Sequence, residues 1–425
     1  MKISDTLQNK FFSDTIIYFV SQIINKALPF LLIPLITRYL SPEQYGLVIS
    51  FTAFLTFSYV FVGLSANGAV NVSYFQKSHE EMKGYIYASL LILLTSVMIS
   101  SLLIHYFSEI LVTKTGLTEA WLHLAVFTAL FQFITLINLA LWQAEQKAKQ
   151  FGIYQILQSL LMTILTIIFI ISFKMGAEGV IVANVISIIL FGLLSLIFLW
   201  YREYIAFSID SENFKDLLHF GLPMVPHQLS GWVLLQYDKL FIVVMLGLTE
   251  AGIYAIGFQI GMMISILTLA FNKAWSPFLF KKLASKPSDF EKQKLVKYTY
   301  LYFIGILFLA FIISFLSPYF IQWYVGEKFN DSIEIVSIIT FAFAFNGMYF
   351  MIVNYLFYMK KTKVLALITF FNAILYIIMS YLLLQKYGVI GVAYATLLSH
   401  ILTFVTVWVV SNRIYPMPWF KWRTS

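Results

Sequence analysis

Residues 14–38 read DTIIYFVSQIINKALPFLLIPLITR, a largely apolar run of about 25 residues with Lys26 at its centre. A helix that crosses a bilayer needs roughly 20 consecutive, mostly apolar residues. The run is long enough to cross, and Lys26 stands 12 residues from either end of it. Placing a lysine near the bilayer midplane costs about 2.5–3.5 kcal/mol, so such a residue faces a partner or a wet cavity. The stretch therefore raises both the fold and the function at once.

Composition agrees with a bilayer as the solvent. Hydrophobic residues make up 60% of the 425-residue chain and charged residues 11%, against about 45–50% and 25% in soluble domains. The mean hydropathy is +0.84. With no cysteine in the chain, disulfide and thiolate chemistry are excluded. The first apolar run is too long for a cleaved signal peptide and lacks a small-residue cleavage site. Strands of a β-barrel would alternate over about 10 residues, and these runs do not.

Windows of spanning length predict twelve helices, near 14–38, 46–75, 85–107, 121–142, 152–173, 179–200, 219–246, 251–272, 298–317, 332–358, 364–385 and 388–411. Long connections are expected only at 201–218 and 273–297. Of the 28 Lys and Arg residues, 21 fall on the side that also holds both termini and 5 on the other, with Lys26 and Lys239 inside spans. The excess of positive charge marks the cytoplasmic side, so both termini are expected there. The net charge of +8 thus reflects topology, and no nucleic-acid partner is implied.

The two halves echo each other. GAEGVIVANVISIIL (176–190) aligns with GVIGVAYATLLSHIL (388–402), and LSPEQYGLV (40–48) with LGLTEAGIY (246–254). KAK at 147–149 recurs as KTK at 361–363. These matches predict two lobes, 1–208 and 209–425, with six helices each. An even number of helices per half makes the repeats parallel, as in transporters that bind between lobes and alternate access. The fold class expected is an all-α integral membrane protein with twelve transmembrane helices in two six-helix lobes.

Buried polar residues then become candidates. Ser21, Gln22, Asn25 and Lys26 recur at helical spacing and share a face. Lys26 is either a cavity-facing functional charge or half of a structural ion pair, and Pro29 and Pro34 bend its helix. At the repeat shift, Ser21 and Gln22 fall on His227 and Gln228, and Lys26 falls on Trp232. His227 and Asp238 lie 11 residues apart, nearly three helical turns, and are expected on one stripe. Asp238 and Lys239 point about 100° apart, so each is expected to pair elsewhere. Plainer readings stand beside these: Lys239 snorkelling, Asp238 in a structural pair, His227 merely hydrogen-bonded, Trp232 in the core. Asn67, Gln132, Asn138, Asn346 and Asn354 are lesser candidates, since amides in spans often join helices. His105 and His123 lie near the outer surface with no evident metal-ligating company. No P-loop, HExxH or large outer loop marks an enzyme, and no cofactor or metal is called for.

Four segments carry a family resemblance. NKALPFLLIPLITRYLSPEQYGLV (25–48), GLSANGAVNVSYFQKS (63–78), QYDKLFIVVMLGLTEAGIYAIG (236–257) and AFNKAWSPFLFKKL (270–283) resemble Wzx-type flippases of polysaccharide repeat units. These belong to the multidrug/oligosaccharidyl-lipid/polysaccharide exporter superfamily. The resemblance implies movement of an undecaprenyl-diphosphate-linked oligosaccharide across the bacterial inner membrane, from the cytoplasmic to the periplasmic leaflet, for O-antigen-like or capsular glycan. It implies partners in membrane lipid, a polysaccharide polymerase and other glycan assembly proteins. The substrate route would be lined by Lys26, Asn25, Gln22, Gln228, Trp232, Lys239 and Asn67, with Lys26 as counter-charge to the diphosphate. Asp238 and His227 would carry a coupling proton. With only two lysines inside spans, a neutral or mildly charged glycan is expected. The alternative is a cation-coupled drug or metabolite antiporter of the same superfamily; a membrane scaffold for glycan assembly is a third reading.

Overall fold

A computed structural model describes residues 2–206 and 210–419, with the side chains of all but 2–16, 18, 19, 22, 26, 234 and 362. Every regular element among the described residues is helical. The chain falls into two compact units, the first ending at Thr249 and the second beginning at Glu250.

The first unit opens with α1 (Lys2–Tyr39), α2 (Pro42–Gly63), α3 (Ala66–Ser73), α4 (His79–Tyr106) and α5 (Ser108–Thr115). It continues through α6 (Glu119–Ala144), α7 (Ala148–Ile171), α8 (Gly176–Tyr201), α9 (Ser211–Trp232), a π-helical turn (Val233–Tyr237) and α10 (Asp238–Leu246). α11 (Leu248–Gly261) leads into the second unit, followed by α12 (Ile264–Ala284), α13 (Asp289–Phe320), α14 (Ser332–Tyr358) and α15 (Thr362–Ile414).

Each unit is built around one enclosed helix. α6 packs against α2, α3, α4, α7 and α8, and α14 against α12, α13 and α15. A helix that is apolar all round can be enclosed on every side, and α6 has no Lys, Arg, Asp or Glu between Ala120 and Ala144. Outer helices show the reverse pattern. On α13, Leu301, Ile304, Phe308, Phe311 and Phe315 form a stripe whose members are all more than half exposed. Such a stripe is stable only against lipid or another apolar surface. Nine helices among the described residues are long and apolar enough to cross a membrane, or ten if the bent pair of α9 and α10 is one span. The chain is a multi-pass membrane protein. α15 is broken at Gly388, whose φ of +62° and ψ of −144° are non-helical and belong to conformations that glycine alone adopts cheaply.

Helix ends differ from the sequence expectation, and capping is the reason. The helix expected from 46 starts at Pro42, because the Ser41 hydroxyl accepts from the Gln44 N–H at 3.2 Å while Gln44 Oε1 accepts from the Ser41 N–H at 3.1 Å. The same reciprocal box starts α4 at Ser78–Glu81 and α13 at Ser288–Glu291. It satisfies backbone donors that the helix itself leaves free. The expected long connections shrink accordingly: 273–297 reduces to 285–288 and 201–218 to 202–210. Lysine-bearing stretches outside the apolar window are helical because helix propensity does not stop at the bilayer surface.

Two turns in different units share one geometry. After α6 the Lys147 N–H returns to the Trp142 carbonyl at 2.8 Å, and after α14 the Lys361 N–H returns to the Leu356 carbonyl at 2.9 Å. The preceding residues, Gln146 and Lys360, are left-handed in both, with φ of +56° and +54°. Gly176 and Gly388, aligned in the sequence, are left-handed as well, at +57° and +62°.

Candidate functional site

α1 and α7 are joined by amides. The Ser159 hydroxyl donates to Asn25 Oδ1 at 2.7 Å, and Asn25 Nδ2 reaches Gln155 Oε1 at 3.4 Å. Ser21, on the same α1 face, is buried and donates to the Ile17 carbonyl at 2.8 Å. A Cβ on Gly152 would stand 3.3 Å from Ser21, so these two residues set how closely α1 and α7 approach. The side chains of Gln22 and Lys26 lie outside the described residues.

The helix expected at 46–75 is discontinuous. Leu64 and Ser65 both take left-handed conformations, with φ of +41° and +56°, and separate α2 from α3. Left-handed non-glycine residues cost about 1–3 kcal/mol each unless their surroundings hold them. Here α9 does so. Gly221 lies so close that a Cβ would stand 2.3 Å from the Leu64 carbonyl oxygen, and Gln228 Nε2 donates to the Ser65 hydroxyl. Further along α9, the Trp232 indole N–H donates to the Ala53 carbonyl and the Thr56 hydroxyl, both at 3.2 Å. Its ring meets Phe57 edge-on at 5.1 Å. Trp232 is thus bound to α2.

Beyond this break α3 helps wall a cavity of about 400 Å³. Its polar lining is four carboxamides: Asn67 and Asn71 from α3, Gln143 from α6 and Gln155 from α7. Phe151 of α7 and Phe220 of α9 add aromatic surface, and no lining residue is charged. Each carboxamide offers two donors and an acceptor with two lone pairs. The cavity therefore suits an uncharged, hydroxyl-rich group with an apolar face. Asn67 was legible in the sequence. Asn71, one helical turn further, was missed, as were Gln143 and Gln155, which become neighbours only when α6 and α7 fold together.

Charges gather two residues beyond Gln143. Glu145 pairs with Arg202, whose guanidinium also donates to Asn138 Oδ1 at 3.0 Å. Lys147 Nζ lies 2.7 Å from Glu145 and the Tyr204 hydroxyl donates to it at 2.8 Å. Arg202 sits over the Trp142 and Tyr204 rings at 5.7 and 4.9 Å. Burial pushes the Glu145 carboxyl up, but hydrogen bonds from Lys147 and Tyr204 and the Arg202 charge outweigh it and hold Glu145 below the ordinary carboxylate value. Burial, followed by the Glu145 contact, pushes the Tyr204 phenol well up. Asn138 serves here as a helix-joining amide, and Asn354 does the same toward Asn272 at 2.8 Å.

α9 and α10 correct two expectations. His227 is exposed whereas Asp238 is buried, so they do not share a stripe. The π-helical turn between them holds more residues per turn than an α-helix, and α9 and α10 meet at 56°. An 11-residue count through such a turn loses its phase. Nor do Asp238 and Lys239 pair only elsewhere. Lys239 Nζ lies 3.4 Å from Asp238 Oδ1 and donates to the Leu235 carbonyl at 2.7 Å. The lysine's four-carbon stem folds back across the 100° that separates neighbouring residues.

At the other end of α6 a second cluster forms. The expectation that His105 and His123 lack metal-ligating company does not hold, because Glu119 lies between them. Glu119 Oε1 is 2.9 Å from His105 Nδ1 and 3.6 Å from His123 Nε2.

Residues 11–283 match the family described as "Polysaccharide biosynthesis protein". A relative in Shigella flexneri, "Putative O-antigen transporter", is 24% identical over 377 residues, covering 84% of this chain and 87% of its own length. Among solved structures, an inward-facing multidrug resistance MATE family transporter of the MOP superfamily superposes with a TM-score of 0.73 at 16% identity, covering 93% of this chain and 98% of the transporter. The lipid II flippase MurJ, in an inward closed conformation, gives 0.71 at 17% identity, over 94% of this chain and 87% of MurJ. The fold is thus that of this exporter superfamily.

Proposed function

The chain belongs to the polysaccharide biosynthesis protein family, and from that premise we propose that it is a flippase for an undecaprenyl-diphosphate-linked oligosaccharide. It moves the saccharide from the cytoplasmic to the periplasmic leaflet of the bacterial inner membrane by alternating access. Twelve spans form two six-helix lobes, 1–208 and 209–425, with both termini cytoplasmic. The matched turns after α6 and α14, and the paired left-handed glycines 176 and 388, support the duplication behind the two lobes.

The observation that carries the reading is the uncharged cavity lined by Asn67, Asn71, Gln143 and Gln155 with Phe151 and Phe220. A hydroxyl-rich saccharide exchanges its water for carboxamide hydrogen bonds, and its C–H faces pack on aromatic rings. A cationic drug would instead call for carboxylates there. Lys26 supplies the counter-charge for the diphosphate near the membrane midplane. Gln22 and Asn25 flank it, and Gln228 and Trp232 of α9 and Lys239 of α10 line the route, while the prenyl tail stays in lipid. Asp238 and His227 carry the coupling proton. A polysaccharide polymerase and other assembly proteins take up the product.

The test is depletion of the protein followed by extraction of polyprenyl-linked saccharides and determination of their leaflet. Completed units stranded on the cytoplasmic side support the proposal. Unchanged lipid-linked pools with normal surface glycan reject it in favour of small-molecule antiport.

A further inference from the structure

We propose that His105, Glu119 and His123 form a transition-metal site that takes Zn²⁺. Glu119 and His123 are four residues apart on the first turns of α6, so both side chains leave the same face of the helix. His105 comes from the last turn of α4. α5 and the left-handed Gly116 fold the chain back so that the end of one long helix meets the start of another. One ligand atom from each residue lies within 4.8 Å of the other two.

Bound to tetrahedral zinc, with zinc–nitrogen and zinc–oxygen distances near 2.0–2.2 Å, neighbouring ligand atoms stand about 3.4 Å apart. The observed distances of 2.9 and 3.6 Å from Glu119 to the two imidazoles bracket that value. Only the span between the imidazoles has to close. His105 is 78% exposed and His123 35%, so both imidazoles have room to turn toward a shared ion. Two imidazoles and one carboxylate favour zinc, copper, nickel or cobalt over magnesium or calcium, which prefer all-oxygen shells. Exposure leaves the fourth position to water. The bound ion would fasten the end of α4 to the start of α6.

The test uses the full chain purified in detergent through a tag without histidines and stripped with EDTA. Zn²⁺ is titrated by calorimetry and Co²⁺ followed by its visible absorption. One ion per chain is expected for the parent protein, with affinity lost about tenfold or more in His105→Gln, Glu119→Gln and His123→Gln. His79→Gln, at the opposite end of α4, should titrate as the parent does. Thermal unfolding without metal, unchanged in all four variants, shows that they fold. The absence of saturable uptake by the parent overturns the proposal, as do titrations that none of the three substitutions alters.

Discussion

The Ser159 hydroxyl donates to the Asn25 side-chain oxygen at 2.7 Å, across the contact between α7 and α1. Asn25 also reaches Gln155, one of the four carboxamides of the cavity. Helix packing and the candidate site thus share one polar chain. Hydrogen bonds between membrane helices contribute about 0.6 kcal/mol on average and up to about 1.7. Asn25→Ala and Ser159→Ala should each lower the thermal midpoint in detergent. The double variant should lose less than the sum, because the second substitution finds the bond already gone. Strictly additive losses would show that the two residues act apart.

Lys26→Ala is expected to reduce glycan export by about tenfold or more, equal to roughly 1.4 kcal/mol of lost interaction, at unchanged levels in the membrane. Lys26→Arg keeps the charge and should retain most of the export. The check is the leaflet distribution of lipid-linked saccharide in cells carrying each variant. Full export by the alanine variant would remove Lys26 from the route.

Gln143→Leu fills similar volume but takes one carboxamide from the cavity. A neutral hydrogen bond contributes about 0.5–1.5 kcal/mol, so export measured in proteoliposomes should fall roughly two- to tenfold. Asn71→Leu should behave alike. Export at the parent rate in both variants would mean that the saccharide passes elsewhere.

Glu145 gives a pH signature. Its folded carboxyl lies below the ordinary value, near 4.3 for an unpaired glutamate. It therefore adds stability that is complete above the unfolded value and disappears as pH falls through the folded one. Thermal midpoints of the parent and Glu145→Gln, followed from pH 7 to pH 3, should differ most near neutrality and converge in acid. A gap that widens in acid would reverse the sign and contradict the ion-pair assignment.

The sequence predicted the helices well where hydrophobicity alone sets them, since 20 apolar residues have few other stable states in lipid. It predicted their ends poorly. Ser78 and Glu81, or Ser288 and Glu291, carry the capping signal in plain view, yet an apolar window weighs only the residues behind them. Asn25 and Asn67 were legible as polar residues within apolar runs. Gln143 was not, because it lies at a helix end where polar residues are ordinary, and only the packing of α3, α6 and α7 gives it companions. The His105–Glu119–His123 cluster escaped for a related reason: α5 and a left-handed glycine intervene. Spacing from α9 into α10 misled where a π-helical turn altered the count.

The serine caps at 41, 78 and 288 bear on how the molecule meets membranes of different thickness. A helix end held only by lipid can melt back or extend as the hydrocarbon layer thins or thickens. An end closed by two reciprocal bonds has a set length. α2, α4 and α13 therefore answer a thicker or thinner bilayer by changing their inclination, or by deforming the lipid around them. Inclination is a rigid-body variable that neighbouring helices share. In this protein the composition of the surrounding membrane acts on the packing of whole helices, and the lipid is a mechanical load as well as a solvent.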